Sequence, residues 1–309
     1  MTTHIEKLRR ATVLISLSLG AIAIIAAVAW FGFRVASHKS ARTELERGDQ
    51  YAEQKDWHTA IACYGKAIQL NPTLTRAYLQ RGRAYENIWP MDFERAITDY
   101  NKAIELEANN AEAFYYRGCV YYQTIQPKNG VSDLTEAIRL KSDYAEAYRY
   151  RGAMMFSLGD TIRAIDDSSQ AIRLAPNDDK NWYYRSMLHE KNGNVAGAIS
   201  DASKAIEIDA NRDNYWRRAE ARAASDEPEL AVQDYTSALD LDPSNNRILR
   251  DRAAAKRASG DMAGAEQDEA LATLGEAKQQ RTNDLIISDQ KSAEFNELLQ
   301  RRSSNRDDK

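Results

Sequence analysis

The dipeptide Arg-Gly and its near variants return along this chain at an almost constant interval, and that repeat limits the possible folds more than any other feature. Arg47-Gly48, Arg81-Gly82, Arg117-Gly118, Arg151-Gly152, Arg185-Ser186, Arg218-Ala219 and Arg252-Ala253 recur at intervals of 33 to 36 residues. Twenty residues past each Arg, allowing for one insertion, stands an alanine: Ala67, Ala103, Ala137, Ala171, Ala205, Ala238 and Ala272. A period of this length marks an array of small supersecondary units, each unable to hide its apolar side alone.

Each unit reads as two helices joined by a tight turn. In the fourth, Tyr148, Arg151, Gly152 and Met155 fall on the i, i+3, i+4, i+7 spacing of one helical face. Gly159-Asp160 then breaks the helix, with Gly relieving backbone strain and Asp placed to cap the second helix. Ala164, Ile165, Ala171, Ile172 and Leu174 supply the apolar side of that second helix, which Pro176 ends. Equivalent breaks fall at Lys55-Asp56, Gly193-Asn194 and Gly260-Asp261. Small residues at fixed places on both helices let the backbones approach closely, while aromatic rings fill the space beside them.

These spacings resemble the tetratricopeptide (TPR) repeat. The first unit carries Gly48, Tyr51, Ala60, Tyr64, Ala67 and Pro72, and the second Tyr78, Gly82, Tyr85, Ala96, Tyr100 and Ala103 with two extra residues in its turn. Phe114, Gly118, Tyr121, Leu134 and Ala137 mark the third, Trp182, Ala198 and Ala205 the fifth, and Tyr215, Ala219, Ala231, Tyr235, Ala238 and Pro243 the sixth. The seventh is weakest, with Glu269 where an aromatic is expected. The resemblance implies an all-α fold, a right-handed solenoid of about seven helix–turn–helix repeats. Its units are 41–74, 75–110, 111–144, 145–178, 179–211, 212–245 and 246–279. One departure is that Arg stands before the Gly where the family pattern has Leu. Asp99, Asp133, Asp167, Asp201, Asp234 and Asp268 accompany it, with Cys63 in the first unit. Co-recurring opposite charges suggest a ladder of Arg–Asp pairs, each made within a unit or with the next. The alternative is a row of ligand-binding arginines.

Residues 11–33 contain no charged side chain. As a helix they would extend roughly 34 Å, enough to cross a bilayer's hydrocarbon core. We read them as an uncleaved transmembrane anchor after a tail of residues 1–10, with 34–40 as a juxtamembrane linker. The alternative is a signal peptide cut after Ala27-Val28-Ala29. Lys7, Arg9 and Arg10 favour keeping the tail inside, which puts the array on the exported, periplasmic side of a bacterial inner membrane as a single-pass protein. Residues 280–309 include Leu285, Ile286, Ile287, Phe295, Leu298 and Leu299, and read as a capping helix with a polar tail.

The remaining chemistry points to binding. His4, His38, His58 and His189 are scattered, and no nucleotide-binding or hydrolase motif occurs. We therefore expect no enzyme, no cofactor and no metal site. A net charge of −4 and a pI near 5.7 argue against nucleic acid, although helical repeats of similar length do read RNA. An accessory subunit of a larger membrane enzyme complex is a further alternative. The TPR resemblance implies that first helices line a concave face that grips a peptide or helical segment of a protein partner. Carried onto this sequence, that face comprises Arg76, Leu79, Arg83, Tyr115, Cys119, Tyr122, Arg149, Ala153, Phe156, Lys180, Tyr183, Met187 and Trp216. The carboxylate clamp of some TPR proteins has no match, because Leu45, Asp49 and Gln80 stand where cationic and amide side chains are required. The expected function is a membrane-anchored scaffold or adaptor.

Overall fold

The computed structural model describes residues 37–278 together with 280, 281 and 285. Among them every regular element is helical, in fourteen helices. Helix α1 covers 37–53, and α14 covers 262–278 within the described residues. Between them run α2 (Trp57–Leu70), α3 (Thr75–Asn87), α4 (Phe93–Leu106), α5 (Ala111–Gln123), α6 (Pro127–Leu140) and α7 (Ala145–Ser157). The series continues with α8 (Thr161–Leu174), α9 (Asp179–Lys191), α10 (Val195–Ile208), α11 (Arg212–Ala224), α12 (Pro228–Leu241) and α13 (Asn246–Ala258). Two compact units divide the chain, Met1–Tyr150 and Arg151–Lys309.

The seven helix pairs follow the repeat. All seven of the periodic alanines, from Ala67 to Ala272, are fully buried. Gly82 shows why so little bulk is tolerated opposite the second helix. A Cβ there would lie 2.7 Å from the Tyr100 ring, and one on Gly118 would lie 2.9 Å from Leu134 Cγ. In the fifth pair Ser186 takes the glycine's place and donates its hydroxyl to the Ala198 carbonyl at 2.8 Å, so its added polar atom is satisfied.

The turns inside the pairs share one backbone solution built from unlike residues. A left-handed φ occurs at Gly159, Gly193 and Gly260, and equally at Lys55, Ile125 and Asp226. The next residue starts the second helix. Asp56, Asp92, Asp160, Asn194 and Asp261 accept a backbone N–H three residues on. Gln126 and Glu227 make no such bond, and there Pro127 and Pro228 occupy the first helical turn, where a missing N–H costs nothing. The second turn is the exception, because its two extra residues bring a cis Trp89-Pro90 peptide and an exposed Trp89.

The Arg–Asp pairs form within each repeat. Arg81–Asp99, Arg117–Asp133, Arg151–Asp167, Arg185–Asp201, Arg218–Asp234 and Arg252–Asp268 are all two-pronged, Nε and Nη2 donating to both carboxylate oxygens at 2.7–2.8 Å. The third corner of the fork reaches back to the preceding pair. Arg185 Nη1 donates to Ser169 at 3.1 Å, Arg252 to Thr236 at 3.2 Å and Arg218 to Ser203 at 3.4 Å, and Arg117 donates to Asn101. A planar guanidinium thus ties two helices of one repeat to a third from its neighbour, a register device that lysine's single ammonium cannot copy. In the first repeat Arg47 pairs instead with Glu44 at 2.9 Å.

At the ends, two sequence assignments meet the structure unevenly. Helix α1 already includes residues 37–40, which charge and hydropathy alone assign to the linker. The reason is local docking: Ser37 Oγ donates to the Leu70 carbonyl at 2.6 Å, and His38 Nδ1 lies 3.3 Å from Asn71 Nδ2. The expected anchor at 11–33 lies outside the described residues. So does the capping helix, apart from residues 280, 281 and 285. Among the described residues no helix is long and apolar enough to cross a membrane.

Candidate functional site

The face expected to bind is built from the same side of each first helix, and the two units furnish it differently. In the first unit it is aromatic. Tyr115 on α5 touches three other rings, with centroids 4.6 Å from Tyr144, 5.1 Å from Tyr116 and 6.0 Å from Tyr150. Tyr122, about two turns further along α5, meets Tyr150 at 5.6 Å in an edge-to-face arrangement of 73°. Two guanidinium groups lie over these rings: Arg83 is 4.8 Å from the Tyr116 centroid and Arg149 is 5.4 Å from that of Tyr150. Burial pushes the Tyr115, Tyr116, Tyr144 and Tyr150 hydroxyls above the ordinary phenol range, so they stay protonated donors.

Below the first helices, Tyr64 and Tyr100 of the second helices reach up to Gly48 and Gly82, and Tyr100 stacks on Tyr116 of the wall with centroids 6.0 Å apart. Tyr64 donates to Asp49 at 3.0 Å and Tyr100 donates to Glu86. Burial holds Glu86 above the usual carboxylate range, against the opposing effect of that hydrogen bond. Next to Tyr64 a cavity of about 330 Å³ opens between α1 and α3. Asp49 and Glu53 line one side of it and Arg76, Gln80 and Arg83 the other. Arg76 donates to Asp49 across it at 3.0 Å.

In the second unit the corresponding face is ionic. Arg217 on α11 is only 3% exposed, with Glu190 of α9 and Glu220 of its own helix as carboxylate partners. Loss of solvation lowers the pKa of Arg217, and burial raises that of Glu220. Trp216 donates its indole N–H to Asp251 at 3.0 Å and carries Arg247 on its ring at 4.4 Å. These charges face one another across α9, α11 and α13.

The residues expected on this face are distributed unevenly. Arg83, Tyr115, Tyr122 and Arg149 come together in the first unit, and Tyr122 is 43% exposed. Arg76 belongs to the neighbouring cavity. Leu79 is 5% exposed and packs into the core with Tyr78, Ala96 and Val120. In the second unit Phe156 and Tyr183 are half-buried, Trp216 is engaged by Arg247 and Asp251, and Lys180 is exposed. Sequence reasoning passed over Tyr116, Tyr144 and Tyr150, and it missed the Glu190–Arg217–Glu220 group. Tyr116 and Tyr150 each sit one place after a chosen residue, so a wider reading of the helical face would have found them. Cys119 is buried beside Tyr115, and that burial pushes its thiol up to about 12. Among the described residues no group of three or more His, Cys, Asp or Glu side chains is placed to hold a metal ion.

A family model described as TPR repeat matches residues 48–88 and 92–124. Solved structures extend the likeness. A tetratricopeptide repeat protein from Parabacteroides merdae is 15% identical over 76% of this chain and 93% of its own, with a TM-score of 0.61. The APC/C hetero-tetramer Cut9-Hcn1 gives 16% identity over 70% of this chain and 43% of that one, with a TM-score of 0.62. Pseudomonas aeruginosa pilF gives 15% over 68% and 95%, with a TM-score of 0.60. At these identities they establish the helical-repeat fold alone. No curated protein matches the chain in sequence.

Proposed function

We propose that this protein is a non-catalytic scaffold, anchored to a membrane through residues 11–33, that captures a segment of a partner protein on the first-helix face of its first unit. The observation that carries this reading is the half-exposed tyrosine cluster around Tyr115, flanked by Arg83 and Arg149. Tyrosine and arginine are among the side chains most often responsible for binding energy at protein interfaces, since both offer a broad face and a directional polar end. Displaying such rings on an otherwise charged helical surface costs solubility with little gain to the core, which a docking role accounts for.

Replacing Arg83, Tyr122 and Tyr150 together by Ala tests the reading. Helix content should be retained, because Arg83 and Tyr122 are exposed and Tyr150 is only half-buried. Partner capture, followed by cross-linking and mass spectrometry from intact membranes, should be lost. Unchanged cross-links in the folded variant would reject this face. Topology has its own test: added protease should degrade the array in spheroplasts if it lies on the exported side and spare it if it lies inside.

A further inference from the structure

The chemistry of the tyrosine wall narrows what it can hold, on the reading that this face binds a partner protein. An amphipathic helix docks by driving Leu, Ile or Met side chains into apolar holes. The wall offers none. On α3, α5 and α7 the residues sharing it are Gln80, Arg83, Glu86, Tyr116, Tyr122 and Arg149 among the rings already described, and the aliphatic Leu79 is spent in the core. What the face does present is flat ring surfaces held at steep angles to one another, 70° between Tyr115 and Tyr150 and 73° between Tyr122 and Tyr150. These rings pack edge to face on one another, and Tyr122, 43% exposed, offers its ring to solvent.

We infer that this wall takes an extended, proline-rich segment of a partner protein, with acidic residues next to the prolines. A pyrrolidine ring is compact, apolar and the right size to stack on a tyrosine face. The polyproline conformation has no internal hydrogen bonds, so its carbonyls need donors, and tyrosine hydroxyls supply them. Its stiffness also lowers the entropy lost on binding. Arg83, which is exposed, and Arg149 bring guanidinium groups to the wall alongside the carboxylates of Glu86 and Glu112, and an acidic side chain beside the prolines pairs with those guanidiniums.

The test is fluorescence anisotropy on the full-length protein with three labelled peptides of equal length. One is a proline-rich peptide bracketed by glutamates, one has the same glutamates with every proline changed to alanine, and one is an amphipathic leucine helix of the same charge. The proline peptide should bind at least tenfold more tightly than either other. Tyr122→Ala should weaken it about tenfold, the equivalent of roughly 1.4 kcal/mol, whereas Tyr122→Phe should keep most of the stacking. Arg83→Glu should weaken the glutamate-bracketed peptide and strengthen a lysine-bracketed one, a reversal that misfolding cannot produce. Tighter binding of the leucine helix, lost with Tyr122→Ala, would overturn the proline inference and leave the groove reading standing. No binding of any peptide at millimolar concentration would overturn both. Proline-peptide binding indifferent to Tyr122→Ala and Arg83→Glu would place the site elsewhere and overturn the inference.

Discussion

The first and second units share a framework and differ in what they display on it. In each, a two-pronged Arg–Asp pair holds the two helices of a repeat together, as in Arg117–Asp133 and Arg185–Asp201. On the first-helix face, however, the first unit shows clustered tyrosines with guanidinium groups over their rings, while the second shows a buried Arg217 between two glutamates. The difference teaches that framework and face are separable. Framework positions answer to the neighbouring helix, whose geometry never changes, and so they repeat. Face positions answer to one another and to ligands, so each unit is free to differ.

The comparison breaks most visibly at Arg217. Changing it to Ala leaves Glu190 and Glu220 without their enclosed counter-charge and should cost ~3–5 kcal/mol, read by urea unfolding. Arg83→Ala, at an exposed position of the first unit, should cost at most ~1 kcal/mol. Equal losses would show that the two faces are energetically alike. Next comes Gly82→Ala, whose new methyl meets the Tyr100 ring. Overpacking should cost ~1–3 kcal/mol, and Tyr100→Leu in the same chain should recover part of it.

The framework itself is sharpened by Arg117→Lys and Arg185→Lys. Each replaces a fork by a single ammonium and should cost ~1.5–3 kcal/mol, the same in both units, whereas the exposed Arg173→Lys should change little. Melting temperatures matching that control would eliminate the ladder as a source of stability. The smallest effect is on pH. Burial opposes ionisation of Asp268, but hydrogen bonds and charge from Arg252 and Lys256 outweigh it and hold the carboxyl below its usual range. Its contribution is therefore complete above an unfolded-state value of about 3.9 and is lost as pH falls through the lower folded value. Asp268→Asn should flatten that acid limb of the melting-temperature profile; an unchanged slope would assign it to other carboxylates.

Much of this architecture is legible in the sequence, for reasons that differ from residue to residue. Ala67 through Ala272 announce themselves because a repeated contact demands a repeated side chain. Asp160 and Asn194 are recognisable as helix starts because capping is decided within three residues. The left-handed turn at Ile125 is not, since a β-branched residue disfavours that conformation and only the adjoining helix pair imposes it. Glu269, an oddity in the repeat pattern, proves to be an ion-pair partner of Arg257.

Local periodicity, then, was enough to dictate the all-helical pairs and the residues that hold neighbours in register. Those depend on spacing along the backbone, and the same spacing is written seven times. Which aromatic rings meet is another matter. Tyr122 and Tyr150 are 28 positions apart, and Glu190 and Arg217 are 27 apart. Their encounters depend on how successive helices lean together, a property of the packed molecule that no single stretch of chain contains.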